Sequence, residues 1–365
     1  MAYGQTESSC WPAADRRRAQ QPERRGPDSR DPLIVAWDEI HMKAIVYSHY
    51  GSPNVLRWEE IEKPTAGDDE VLIRVRAAAV NPFDWHFMRG LPYFLRMMAG
   101  LRRPKDTRLG VDVAGEVAAA GKNVTSFRPG DEVFGACRGA FAEYARTRES
   151  ALVAKPGSVT FEQAAAAPLA ALTALQGLRD EGQIRSGQRV LINGAAGGVG
   201  TFAVQIAKSF GADVTGVCST RNVEMVRSIG ADRVVDYTRE DFTASGQRYD
   251  LILDTVGNHS LSACRRVLNP TGRYVAVGGP SGRWMIGFLA RVLAAPVLSR
   301  FVSQSFSIVM TKPSQEDLAT LRDLMAAGKV TPVIDRRYRL SEVPEAIRYL
   351  EAGHARGKVV ITVGT

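Results

Sequence analysis

One stretch of this 365-residue chain has the residue types and spacing to hold a phosphate: Asn193, Gly194, Ala195, Ala196, Gly197, Gly198, Val199 and Gly200. Glycines let a backbone come close to an anion, and the first N–H groups of a following helix point at it with the positive end of the helix dipole. The stretch is a G-x-G-x-x-G pattern with Ala195 in first place, followed by Gly197 and Gly200. A glycine-rich loop alone is only a turn, so the flanks decide. Val190 to Ile192 is a short apolar run of buried-strand type. Ala203, Ile206, Ala207 and Phe210 then fall on one helical face that Gly211 ends. Strand, glycine turn and helix together are the context in which the pattern means dinucleotide binding.

A second group of residues bears on which dinucleotide. Val214 to Cys218 reads as the next strand, and its end should meet the adenosine ribose. A site for NAD puts Asp or Glu there to accept from the 2′-hydroxyl. This chain has Ser219, Thr220 and Arg221 instead. Two hydroxyls and a guanidinium fork suit a 2′-phosphate, so NADPH is the expected cofactor. The alternative is a solvated turn whose Ser or Thr caps the next helix.

These residues need a scaffold, and the chain from Arg189 onward supplies one. Helix Val223–Ile229, strand Arg233–Asp236, strand Tyr249–Asp254, helix Leu261–Leu268 and strand Tyr274–Gly278 alternate as in a doubly wound parallel sheet. Ligands of such sheets sit at the carboxyl ends of the strands. Asn193, Ser219, Asp254, Val256, Gly257, Gly278 and Gly279 would meet there. Before this lies a β-rich region from Lys43 to about Pro156. It includes Val71 to Arg76, with alternating character, then strands Val111–Val117 and Asp131–Phe134, and predicts a small antiparallel barrel. Phe161 to Leu178 predicts one long Ala-rich connecting helix. After the nucleotide-binding units, Ser314 to Asp317 forms a capping signal ahead of a helix, a second helix follows, and Lys358–Val363 is a last strand. The expected organisation is a leader over 1–41, a catalytic domain over 42–165, a nucleotide-binding domain over 166–310, and a return to the catalytic domain over 311–365.

Composition narrows the class. Hydrophobic residues make up 45% and charged residues 24%, enough for two cores without metal or disulfide. The net charge is +8, yet no basic stretch interleaves with aromatics, so nucleic acid is not an expected partner. Cys10, Cys137, Cys218 and Cys264 lie far apart with no C-x-x-C pair, which excludes a local four-cysteine zinc lobe and points to a reducing, cytoplasmic setting. Met285 to Val302 is apolar but interrupted by Arg291 and Arg300. It predicts a helix packed on the cleft or on a partner subunit, with a membrane-surface helix as the alternative. Membrane association is otherwise not expected, and the chain is expected as a monomer or homodimer. Residues 1–41 hold six arginines against seven acidic residues and no apolar periodicity before Leu33. This is the composition of a disordered tail, with Met42 as the expected natural start.

The segments Ala79–Asp84, Gly110–Gly115, Pro129–Val133, Leu172–Ala174, Asn193–Gly200, Asp254–Gly257 and Gly357–Ile361 together resemble the medium-chain dehydrogenases/reductases, in their zinc-free quinone oxidoreductase branch. The likeness runs from about Met42 to the C-terminus. It implies a GroES-like catalytic domain split in sequence around a Rossmann domain. It also implies that Asn81 and Thr173 lie at the nicotinamide, that Tyr237 lies near the adenosine phosphate, and that Lys358 belongs with the cofactor-binding residues. The alternatives are an asparagine that merely holds the turn before Pro82 for Asn81, an ordinary helix threonine for Thr173 and a strand-end tyrosine for Tyr237. Tyr93 is a candidate proton donor or lid aromatic. Zinc relatives carry a cysteine where this chain has Asn81, and Gly-His-Glu where it has Gly110, Val111 and Asp112. His41, His49, His86, His259 and His354 fall outside the ligand slots, so no zinc is expected. Hydride from NADPH to a quinone or α,β-unsaturated carbonyl then suits the site, since the resulting phenolate or enolate needs only hydrogen-bond donors. An alcohol or aldehyde dehydrogenase, or a weakly catalytic NADPH-binding protein, is the alternative.

Overall fold

The computed structural model describes residues 40–277 and 303–364. The expected leader, with residues 1–39 of it, the pair Gly278 and Gly279, and the apolar run 285–302 lie outside the described residues.

The described chain begins with an antiparallel pair, β1 (His41–Val46) and β2 (Arg57–Glu62). Next come β3 (Glu70–Val80), β4 (Asp112–Ala120), β5 (Glu132–Ala136), β6 (Tyr144–Arg148) and β7 (Leu152–Ala154). Helices α1 (Pro82–Arg89) and α2 (Leu95–Ala99) lie between β3 and β4. Two late strands, β14 (Ile334–Arg339) and β15 (Lys358–Thr362), complete this sheet in the order β14-β15-β3-β4-β5-β7, with β6 also paired to β3. The pairing is antiparallel except between β14 and β15. The C-terminal strand thus runs beside β3, with Val359 opposite Val80. That register sets Lys358 near the end of β3, where Asn81 follows.

The second sheet is built from β8 (Arg189–Asn193), β9 (Asp213–Cys218), β10 (Arg233–Asp236), β11 (Tyr249–Asp254), β12 (Leu268–Ala276) and β13 (Ser305–Ile308). All its pairs are parallel, in the order β10-β9-β8-β11-β12-β13. That is the doubly wound order, in which the direction of winding reverses between β8 and β11 and opens a crevice at their carboxyl ends.

Two expectations are corrected. The single helix over Phe161–Leu178 is two, α3 (Phe161–Ala166) and α4 (Pro168–Gln176), followed by a wider turn over Gly177–Glu181. Pro168 has no N–H to continue the α3 ladder, so it starts a new helix at its first position instead. The helix expected through Leu268 stops at Arg266, and β12 begins at Leu268 rather than Tyr274. Leu268 pairs with Tyr249, and the next pair is Arg273 with Leu251, so the Pro270–Gly272 stretch is taken up as an irregularity inside the strand.

The small side chains of α3 and α4 explain how the two sheets join. Ala164 to Ala167, Ala170, Ala171 and Ala174 are buried in one apolar cluster. It also takes in Ala77, Ala79 and Phe134 from the first sheet and Val190, Ile192 and Leu253 from the second. Alanines let helix and strand backbones approach closely, and a larger residue would have to push the layers apart. The remaining helices are α5 (Gly198–Ser209), α6 (Val223–Ser228), α7 (Leu261–Arg266), α8 (Gln315–Ala326) and α9 (Val343–Glu351). Ser314 caps α8 by accepting from the Asp317 N–H, as its spacing predicts.

Candidate active site

The crevice floor is the pair Asn193 and Asp254, the last residues of β8 and β11, which stand opposite each other in register. Asn193 Nδ2 donates to Asp254 Oδ1 at 2.8 Å and to Asn258 Oδ1 at 2.9 Å. Asp254 Oδ1 also accepts from the N–H groups of Val256 and Gly257, while Tyr274 donates its hydroxyl to Oδ2 at 2.6 Å. The Asp254 carboxylate therefore shapes the 254–257 turn and is spent on protein donors. Asn258 and Tyr274 complete this arrangement and carry no motif of their own in the sequence.

The glycine loop has the conformations its sequence demands. Gly194 has φ +85, and a Cβ there would lie 2.3 Å from Thr255 Oγ1. Gly200 packs against the Gly194 carbonyl, 2.1 Å from where its Cβ would be, which forbids any side chain between helix and strand. Gly197 is different. It caps α5 with φ −83, and the nearest atom to a Cβ there is Gly194 O at 3.4 Å. Gly198 opens α5 and lies beside the Lys358 stem, whose Cδ is 3.4 Å from a Cβ position. Ala195 and Ala196 are buried beneath the loop, and Val199 is half-buried. The Gly357 N–H donates to Ala196 O at 2.8 Å, stitching the C-terminal strand to the loop.

Where β9 ends, Ser219, Thr220 and Arg221 form a tight turn. Thr220 donates its hydroxyl to Asp236 Oδ2 at 2.5 Å and contacts Thr238 Oγ1 at 2.9 Å. Asp236, missed in the sequence because it ends a neighbouring strand, also accepts twice from Thr238. These donors, the Thr220 hydroxyl first, hold its carboxyl below the usual carboxylate range. Arg221 is exposed and donates from Nη2 to His354 O at 3.1 Å. Asn222 donates to Ser219 Oγ, while its own Oδ1 is buried and has no partner among the described residues. Tyr237 is exposed beside this turn, held by its N–H to Cys218 O.

The other wall is a buried polar cluster. Asn81 is only 2% exposed and its side chain is fully engaged. Nδ2 donates to Asp112 Oδ2 at 2.9 Å and to Ala79 O at 3.3 Å, while Oδ1 accepts from Lys358 Nζ at 2.5 Å. Lys358 Nζ also lies 3.4 Å from Asp112 Oδ2. Asp112 Oδ1 accepts from the Leu169 N–H at the start of α4. Asp84, three residues after Asn81, accepts from the backbone N–H groups of Asn81 and Gly110. Burial pushes its carboxyl up to about 7 against those two bonds, and burial also raises Asp112 against the pull of Lys358. Cys137 is buried nearby, its thiol raised first by burial and then by Asp112.

Thr173 sits on α4, buried, with its hydroxyl donated to Leu169 O at 2.7 Å and in contact with Thr311 Oγ1 at 2.7 Å. Thr311 had no signal in the sequence. Tyr93 lies on the segment after α1, with the Arg96 guanidinium 5.0 Å from its ring centre. The side chain of Asn81 is occupied by Ala79, Asp112 and Lys358. The structure thus brings Asn81, Lys358 and the Ala196–Gly198 loop together, while Tyr93 packs with Arg96. The donor set does not fit zinc. Asn81 and Asp112 are spent on each other and on an ammonium group, Val111 offers no donor, and among the described residues no three His, Cys, Asp or Glu side chains converge.

Comparison with known families agrees with this architecture. A family model described as alcohol dehydrogenase GroES-like domain matches residues 67–157, and one described as zinc-binding dehydrogenase matches residues 229–361. The chain is 36% identical over 335 residues to a 2-methylene-furan-3-one reductase of Solanum lycopersicum, covering 88% of this chain and 79% of that protein. It is 35% identical over 335 residues to a chloroplastic quinone-oxidoreductase homolog of Spinacia oleracea, covering 88% of this chain and 98% of that one. Among solved structures, the quinone oxidoreductase of Coxiella burnetii superposes with a TM-score of 0.77 at 31% identity, covering 89% of this chain and all of that one. With a parallel sheet in doubly wound order beside a GroES-like sheet, and relatives of this kind over most of its length, the chain belongs to the medium-chain dehydrogenase/reductase superfamily as a quinone-oxidoreductase-like, NAD(P)H-dependent oxidoreductase.

Proposed function

We propose that this protein uses NADPH to reduce a quinone or α,β-unsaturated carbonyl without a metal. The observation that carries the reading is Lys358, an ammonium group bound to Asn81 and Asp112 where zinc relatives gather their ligands. Bound NADPH would supply the hydride. The chain's own residues do the rest. Asn81 and Asp112 hold Lys358 in one orientation, and its side-chain stem passes beside Gly198 of the glycine loop. An oxyanion of phenolate or enolate type is weakly basic and is stabilised by such fixed donors alone. A simple alkoxide is more basic and gains less from them. Supporting NADPH over NADH, the Asp236 carboxylate is engaged by Thr220 and Thr238, whereas Arg221 is exposed beside Ser219. Relatives named as acting on a methylene-furanone, on quinones and on alkenals or alkenones fit the same acceptor class.

The test is a substrate panel followed by NADPH absorbance, run with and without a strong chelator. Quinones and enones should be reduced far faster than simple ketones, alcohols should scarcely be oxidised, and chelation should change neither rate. Brisk, chelator-sensitive alcohol oxidation would overturn the reading.

A further inference from the structure

The segment that follows α1 is built as a surface flap. Gly90, with φ +59, ends the helix. Arg96 then ties the flap's inner side down, donating to Gly90 O and Arg89 O and lying over the Tyr50 ring at 4.5 Å from its centre. Tyr50 donates its hydroxyl to Gly100 O at 2.6 Å, and the Lys105 N–H donates to Ala99 O. With the polar side anchored in this way, the apolar side chains face out. Phe94 is 44% exposed, Met97 75%, Met98 73% and Leu101 72%. Single exposed apolar residues are ordinary, but four large ones within eight positions form a patch that needs a counterpart. Directly after them come Arg102, Arg103 and Lys105, all exposed, and among the described residues none of the three has a carboxylate within ion-pair distance.

We propose that this flap docks the protein peripherally on an anionic lipid surface. The apolar tip would enter the boundary between headgroups and acyl chains, and Arg102, Arg103 and Lys105 would meet lipid phosphates at headgroup level. Charge selects this occupant over a second copy of the chain. A two-fold contact of the patch with its own copy would bring the same basic residues of both copies together. The net charge of +8 favours the same surface. Among the described residues no helix is long and apolar enough to cross a membrane, so the contact is superficial. It also differs from the apolar run 285–302 to which the sequence alone draws attention.

Flotation of the full chain with lipid vesicles tests this, and its readout is independent of turnover. The chain should float with vesicles containing phosphatidylglycerol, stay below with pure phosphatidylcholine, and detach as salt is raised. Met97→Asp with Met98→Asp should abolish flotation. Removing basic residues should weaken it by about fivefold each, and Arg102→Glu with Arg103→Glu by more. Unchanged melting temperatures would show that these exposed substitutions leave the fold intact. Failure of the parent chain to float with anionic vesicles overturns the proposal. So does flotation that both double variants leave unaltered. A dimer disrupted by the methionine variants, with no flotation, overturns it in favour of self-association.

Discussion

Asp84 and Asp112 share one buried cluster with a single ammonium, Lys358, and the charge imbalance has a measurable consequence. Unfolded, Asp84 would titrate in the ordinary carboxylate range near 3.8; folded, burial pushes it up to about 7. The folded chain therefore keeps a proton that the unfolded chain has lost. The stability this proton contributes is complete below about pH 4 and is lost as pH rises through about 7, with a slope of at most about 1.4 kcal/mol per pH unit. Asp112, Lys358, Tyr47 and Cys137 are the other titratable groups around it. Melting temperature should fall across this window in the parent chain and fall less in Asp84→Asn. Parallel curves would show that Asp84 does not titrate there. Arg221 carries the other prediction at this scale. Charge-assisted bonds to a phosphate contribute about 1.5–3 kcal/mol. Arg221→Ala should therefore erase roughly tenfold or more of a preference for NADPH over NADH, measured as dissociation constants for both. Equal binding of the two cofactors by the parent chain would remove the basis for a 2′-phosphate site.

Within the strand–loop–helix element, the glycines divide by what opposes a side chain. Gly200 faces backbone, with Gly194 O 2.1 Å from a Cβ position. Gly200→Ala must shift α5 off β8 and should lower stability by about 1–3 kcal/mol. Gly197 has ordinary φ, and a Cβ there comes no closer than 3.4 Å to Gly194 O. The folded chain has little objection to alanine there, but a pyrophosphate approaching the loop would. Gly197→Ala should keep the melting temperature of the parent and lose NADPH affinity. If it binds as well as the parent, the phosphate does not pass over Gly197. The same comparison explains why the loop was legible: its residues are chosen for backbone geometry, and backbone geometry is local.

For the molecule as a whole, each sheet has an apolar cluster of its own, and a larger one is shared between them. One buried cluster runs from Ala77 and Phe134 through the alanines of α3 and α4 to Val190 and Leu253. Opening either sheet exposes part of the core that supports the other. Residues 41–365 should therefore unfold in one cooperative transition, with calorimetric and van't Hoff enthalpies agreeing. Two resolved transitions would show that the alanine helices are a hinge and not a shared core.

The sequence alone determined the glycine loop, the alternation of strands and helices behind it, and the residues at the carboxyl ends of β8 and β11. Each is written in patterns a few residues long, periodicity for the elements and glycine for the turns. Through the family resemblance it also implied that Asn81 and Asp112 stand where zinc relatives carry ligands. Only the tertiary structure decided what those residues do instead. Asn81, Asp112 and Lys358 are separated by up to 277 positions, and no local pattern says that an ammonium from the last strand enters between an amide and a carboxylate. Asp236, Asn258 and Thr311 were invisible for the same reason, since each bonds a neighbour that another strand or helix brings in. The break at Pro168 was local and could have been read, because a proline that starts a helix also ends the one before it. The start of β12 could not, because parallel pairing with Tyr249 draws in Leu268 ahead of Pro270 and Gly272.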